Sequence, residues 1–194
     1  MNALLNRIRA CHECAAHLPH GPRPVLQASA SARLLIIGQA PGARVHANGV
    51  AWMDASGKQL RDWLGVDEAT FYDAKQVALM PMGFCYPGKG TSGDLPPRPE
   101  CAPLWHDRVR ARLKDVRLTL LIGQYAQRHY LGDDMGENLT ATVRAFRDHL
   151  PNFLPLPHPS PRNRFWLVKN KWFDSELLPV LRGHVSAALK AGAA

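Results

Sequence analysis

Pro155-Leu-Pro-His-Pro-Ser-Pro-Arg-Asn163, together with the distant Gly38-Gln-Ala-Pro-Gly42, decides how this chain is read. Each stretch includes or follows a short apolar run, Phe153 to Leu156 in one case and Leu34 to Ile37 in the other, and each precedes residues of helical character. In an open α/β sheet, polar loops at the carboxyl ends of neighbouring parallel strands converge on one crevice, and ligands bind there. Two rigid loops at two strand ends can therefore share a site. A histidine locked between prolines at that edge points to chemistry.

Outward from these loops, strands and helices alternate along most of the chain. Ala3 to Ala16 reads as a helix, and Gly21-Pro-Arg-Pro24 leads through a polar connection to a first buried strand, Arg33 to Ile37. Ser56 is the expected N-cap of a helix through Leu64. Val77 to Met82 reads as a second strand, followed by a long Gly- and Pro-rich loop, Cys85 to Pro99. Cys101 to Lys114 has helical spacing, with Leu104, Val109 and Leu113 on one side. Leu118 to Ile122 is a third strand running into a helix near Tyr125 to Tyr130. Leu139 to Leu150 reads as helix, Phe153 to Leu156 as the fourth strand, and Trp172 to Leu189 as a closing helix that Pro179 could kink. Strands separated by helices call for a three-layer α/β/α fold on a central four-stranded parallel sheet, in a single domain over residues 1–194.

A length of 194 residues is enough to bury a core without disulfides. Lys and Arg total 24 against 16 Asp and Glu, a net charge of +8, which favours a polyanionic partner such as nucleic acid. No stretch approaches the roughly 20 apolar residues needed to cross a bilayer, and Arg7, Arg9 and Cys11-His-Glu-Cys14 stand where a signal peptide has its apolar core. The expectation is a cytoplasmic monomer with no membrane association. Its four cysteines, Cys11, Cys14, Cys85 and Cys101, are then thiols or metal ligands rather than structural disulfides.

Gly38-Gln-Ala-Pro-Gly42 and His158-Pro-Ser160 resemble the two signature motifs of the uracil-DNA glycosylase superfamily, in the same order and at the ends of the expected strands. The likeness is strongest to the iron-sulfur-containing bacterial and archaeal branch, which has Gly-Glu-Ala-Pro-Gly in the first motif and a Cys-x2-Cys ahead of it. Cys11 and Cys14 supply that pair, and Cys85 and Cys101 match the spacing of the branch's second pair. Gly49-Val-Ala-Trp-Met-Asp-Ala-Ser-Gly57 is similar to the loop whose aromatic ring stacks on an extruded base. His158-Pro-Ser-Pro-Arg-Asn163 also resembles the single-strand-selective branch.

What the resemblance implies is cleavage of the bond between a base and its sugar. Negative charge develops on the departing base, so hydrogen-bond donors must be aimed at it. His158 is the candidate donor, held in place by its prolines. A stacked base is out of reach, so such an enzyme flips it out of a duplex or acts on single strands. Trp52 offers a face for stacking, or is simple core. Ser160, as N-cap of a short helix from Pro161, and Arg162 are candidate contacts to the DNA backbone, or solvated surface residues, and Asn163 is a further candidate for substrate binding. Gly38, Ala40, Pro41 and Gly42 would form the wall of the substrate pocket.

The chain departs from the family pattern at two points. Gln39 stands where the iron-sulfur branch has Glu, and a glutamine amide can hold water but cannot act as a base. The next position, acidic in the best-known branch, is Ala40. Asp54 is an alternative water partner, because Asp54-Ala-Ser-Gly57 resembles an Asp-x-Ser-Gly element of another branch; its other reading is helix capping. The Asn that reads uracil in the iron-sulfur branch falls at Pro81, which has no side-chain hydrogen bonds to offer.

The four cysteines would hold a [4Fe–4S] cluster as the resemblance implies, with structural zinc or unconnected thiols as the other readings. The leading functional expectation is a DNA glycosylase acting on uracil or a related deaminated base in single- or double-stranded DNA, for base excision repair. Gln39 and Asp54 would orient water and His158 would stabilise the leaving base. The alternative is a noncatalytic nucleic-acid- or lesion-binding member of the same fold. A nucleotide-binding protein using the Gly38 to Gly42 loop for phosphate is weaker, because that loop lacks both a dinucleotide fingerprint and a P-loop lysine.

Overall fold

Leu34-Leu-Ile-Ile37 has no polar side to show to water, so a strand built from it needs cover on both faces. A computed structural model of the protein describes residues 1–190, so the last four residues of the expected domain lie outside the described residues. In chain order the main elements are α1 (Asn2–Arg9), β1 (Leu34–Ile37), α2 (Ala43–Asn48), α3 (Ala55–Leu64), α4 (Glu68–Tyr72) and β2 (Val77–Leu79). They continue with α5 (Cys101–Arg110), β3 (Leu118–Ile122), α6 (Gln124–Leu131), α7 (Leu139–Arg144), β4 (Phe153–Leu156), α8 (Arg164–Lys169) and α9 (Leu178–Lys190).

The strands form one parallel sheet in the order β2-β1-β3-β4. Leu34 lies opposite Val77 on one side and Leu118 on the other, and Leu120 lies opposite Leu154. Pro155, which has no N–H to donate, is tolerated because β4 is an edge strand. Alternate residues feed two cores. Leu34, Ile36, Leu120 and Ile122 pack with Leu60 and Trp63 of α3, Phe71 of α4, Val143 of α7 and Leu181 of α9. Leu35, Ile37 and Leu121 pack instead with Ile8 of α1, Trp105 and Val109 of α5 and Ala126 of α6. The three-layer α/β/α expectation therefore holds. β2 and β3 flank β1 on opposite sides, so the switch point of the topology falls between the carboxyl ends of β1 and β3.

Several boundaries differ from expectation, each for a local reason. The first helix stops at Arg9 rather than Ala16, and a 3-10 turn over Ala15–His17 follows. β2 ends at Leu79 rather than Met82, two residues before Pro81. The flanking donors still reach across, from Met80 to the Ile36 carbonyl and from Met82 to the Gly38 carbonyl. Asp54, not Ser56, caps α3. α5 stops at Arg110, short of Lys114, and the expected Leu139–Leu150 helix breaks after Arg144 into a 3-10 segment, Phe146–His149. The closing helix runs unbroken from Trp172, as expected, and carries a π segment, Phe173–Leu177, just before Pro179, whose missing N–H interrupts the regular hydrogen-bond ladder there. Among the described residues no helix is long and apolar enough to cross a membrane.

Candidate active site

The loops after β1 and β4 meet at that switch point around a cavity of about 490 Å³, within the range of ligand sites. Gly38, Gln39, Ala40, Pro41 and Gly42 line it from β1, and His158, Ser160, Arg162 and Asn163 line it from β4. Trp52, Asp54 and Pro81 complete the set expected from sequence.

Trp52 owes its place to two glycines. A Cβ on Gly38 would lie 2.7 Å from Trp52 Cζ2, so only glycine lets the indole lie on the end of β1. A Cβ on Gly57 would lie 1.7 Å from the Trp52 carbonyl oxygen, which lets α3 start directly beneath it. Trp52 itself has φ 59°, left-handed backbone rare for a bulky side chain. Such strain persists only where the surroundings impose it, often at functional sites. The indole packs against the core on one side, and its ring centroid is 5.7 Å from that of His158, inclined by 30°. Both readings of Trp52, core residue and pocket wall, are thus partly met.

His158 is half-buried, and burial pushes its pKa below the ordinary histidine value, while the charges of Asp54 and Asp94 pull it back up. The imidazole is therefore neutral at pH 7 and carries one N–H. The loop around it is fixed by Asn163, whose Nδ2 donates to the His158 carbonyl at 2.7 Å. Beneath it, buried Gln127 donates to the carbonyls of Leu121 and Leu156, at 3.2 and 2.9 Å, tying the ends of β3 and β4 together. Ser160 caps the 3-10 turn Pro161–Asn163 by accepting from Arg162 N at 3.3 Å, as expected from sequence.

Asp54 accepts from Gly57 N at 2.8 Å, so it is a helix cap that also faces the cavity. The Pro81 carbonyl accepts from Nε2 of buried His106 at 3.1 Å; this makes Nδ1 the acceptor for the Tyr130 hydroxyl at 2.7 Å. Desolvation holds the pKa of His106 down to about 4, so it stays neutral. Of the polar cavity residues not expected from sequence, which also include Ser56, Ser92 and Tyr125, two bear on the chemistry. Gln124 follows Gly123 at the end of β3, and Ile122-Gly-Gln124 repeats Ile37-Gly-Gln39, a signal that could have found it. Asp94 arrives from the long Cys85–Pro99 loop, and no spacing in the sequence marks it.

Cys11, Cys14, Cys85 and Cys101 come together from the N-terminal segment, the long loop and the start of α5 to line one apolar cavity with Leu18, Phe84 and Trp105. Phe84 N donates to Cys101 Sγ at 3.3 Å, and the Cys14 thiol donates to Glu100 at 3.8 Å. Burial pushes Cys85 up to about 11 and Cys101 up to about 12, so without a metal both are thiols at neutral pH. Among the described residues no group of three or more His, Cys, Asp or Glu side chains is arranged to hold a metal ion. By residue type, four thiols around one apolar space, with a backbone N–H aimed at one sulfur, fit the chemistry of a thiolate-bound group.

Fold and site together define a three-layer α/β/α protein with a histidine-bearing crevice at the switch point of a parallel sheet. The chain matches the Uracil DNA glycosylase superfamily over residues 26–182 and belongs to it. The match takes in both loops and the Trp52 segment, whereas Cys11 and Cys14 lie before it.

If the glycine under Trp52 is required for this geometry, Gly57→Ala should destabilise the fold by about 3 kcal/mol, the upper part of the overpacking range. Urea denaturation measures this, and an unchanged midpoint would show that Trp52 is not held as described.

Proposed function

We propose that the protein is a DNA glycosylase that hydrolyses the N-glycosidic bond of uracil or a related deaminated base. The observation that carries this reading is His158, locked in its loop by Asn163 and stacked against Trp52 inside the cavity. A flipped base entering the cavity would stack on the indole and present its developing negative charge to the His158 N–H. Superfamily membership and the net charge of +8 support DNA as the partner. Ser160 and Arg162, which both line the cavity at the start of the 3-10 turn, would contact the backbone beside the lesion. Gln39 and Asp54 would orient the attacking water, and the amides of Gln39 and Gln124, which line the cavity, would read the base where Pro81 cannot.

His158→Ala should lower the rate of abasic-site formation on uracil-, hypoxanthine- or xanthine-containing oligonucleotides by about 100- to 1000-fold, with an unchanged circular dichroism spectrum. A rate equal to that of the native protein removes His158 from the mechanism. Lesion binding with no abasic product from the native protein would favour the noncatalytic reading.

The four cysteines are proposed to hold a [4Fe–4S] cluster, as in the iron-sulfur branch that the sequence resembles. This rests on the shared cavity and the all-thiol donor set. The bound group would be structural, tying the N-terminal segment to both ends of the long loop. Anaerobically purified protein should be brown and contain iron and acid-labile sulfide, and Cys101→Ser should lose both together with thermal stability. Stoichiometric zinc in colourless protein rejects the cluster.

A further inference from the structure

The attacking water must give up a proton, and of the groups expected from sequence to handle it, one cannot act as a base and the other is tied to a helix cap. Gln39 is an amide. Asp54 has one carboxylate oxygen committed to Gly57 N at 2.8 Å, where it caps α3. The other carboxylate of the cavity, Asp94, caps no helix, and its one hydrogen bond, from the Tyr86 hydroxyl to Oδ1, is longer at 3.4 Å.

Asp94 is aimed by its own small hairpin. Lys89 and Asp94 pair as an antiparallel bridge, Gly90 N donates to the Gly93 carbonyl at 2.6 Å, and Leu95 N donates to the Gly88 carbonyl at 2.9 Å. On one side, the hydroxyl of buried Tyr86 donates to Asp94 Oδ1 at 3.4 Å. The Tyr86 ring is itself fixed by stacking on His20, 5.3 Å between centroids, and by His46 at 5.9 Å. On the other side, Oδ2 lies 3.4 Å from where a Cβ on Gly42 would stand, so it rests against the first loop of the site. Arg162 Nη1, from the His158 loop, packs 2.8 Å from the Cβ position of Gly93 and brings the hairpin tip against the second loop. The carboxylate is exposed at the cavity mouth, where water reaches it in the free protein.

We propose that Asp94 is the catalytic residue that takes the proton from the attacking water, a role that rests on the glycosylase reading above. The water oxygen forms a bond to the sugar C1′ as the C1′–N bond breaks, and that bond's electron pair leaves with the base. One water proton passes to Asp94 Oδ2 and then through solvent to the base anion, so the products are a free neutral base and an abasic sugar. His158 keeps its proton and only hydrogen-bonds to the base. The ionised carboxylate also offsets the positive charge that builds on the sugar, which Gln39 cannot do.

The test is single-turnover cleavage of whichever lesion oligonucleotide the native protein cleaves, as a function of pH, for the native protein, Asp94→Asn and Asp94→Glu. The titratable or charged groups around Asp94 are Tyr86, Lys89, Arg162, His158 and Asp54. Protonation of His158 would strengthen its hold on an anion, so it cannot cause a loss of rate in acid. Asp94→Asn should bind lesion DNA within about threefold of the native affinity but cleave it at least about 100-fold more slowly, and it should lose the fall in rate on acidification. Asp94→Glu should recover part of the rate and the acidic fall. An Asp94→Asn rate within about threefold of native, or a retained acidic fall, overturns the role of Asp94 while leaving the glycosylase reading intact. A native protein that cleaves no lesion oligonucleotide overturns the glycosylase reading, and the role of Asp94 falls with it.

Discussion

The seating of Trp52 is the constraint on which the rest of the site depends. Its ring lies over Gly38, its carbonyl lies over Gly57, and its backbone is left-handed as a result. A side chain at either glycine would push the indole away from His158 and close the space between the two strand-end loops. The same seat links the site to the fold, because Gly38 ends β1 and Gly57 lies in the first turn of α3, which Asp54 caps. The strain is held by packing, since the indole also rests against the larger of the two cores.

Around that seat, the backbone of the site is pinned before any ligand arrives. Met82 N and Gly83 N donate to the carbonyls of Gly38 and Gln39, so the first loop is tied to the continuation of β2. Gln127 ties β3 to β4 from below, and Asn163 closes the His158 loop on itself. His106 fixes the Pro81 carbonyl from the opposite layer. Groups held in this way do not need to be ordered when charge develops, which is where positioned donors gain most of their effect. Cys85 and Cys101 bracket the loop that carries Asp94, so the thiol cavity and the base cavity are joined by one stretch of chain.

The sheet could be read from sequence because its strands are unbroken apolar runs, and buried parallel strands have no other pattern to show. The loops Gly38–Gly42 and His158–Asn163 could be read because they sit directly at the ends of those runs. The five-residue α4 could not, since so short a segment carries too little periodicity, and it is held by the burial of Phe71 in the larger core. Ser56 and Asp54 are both good caps, and only the close approach of Trp52 to Gly57 decides between them. Asp94 was hidden for a different reason. It reaches the cavity through a hairpin in a Gly- and Pro-rich loop far from either motif, and such long-range placement leaves no local trace.

Extrusion of a base into the crevice between Trp52 and His158 is the event on which the functional reading turns, and histidine-labelled NMR observes it directly. The His158 ring nitrogens should shift when the protein binds an oligonucleotide carrying an uncleavable 2′-fluorinated deoxyuridine, and should stay in place with the same oligonucleotide lacking the lesion. Equal shifts with both DNAs, or a His158 signal that ignores the lesion while surface histidines respond, are incompatible with a base bound at this site.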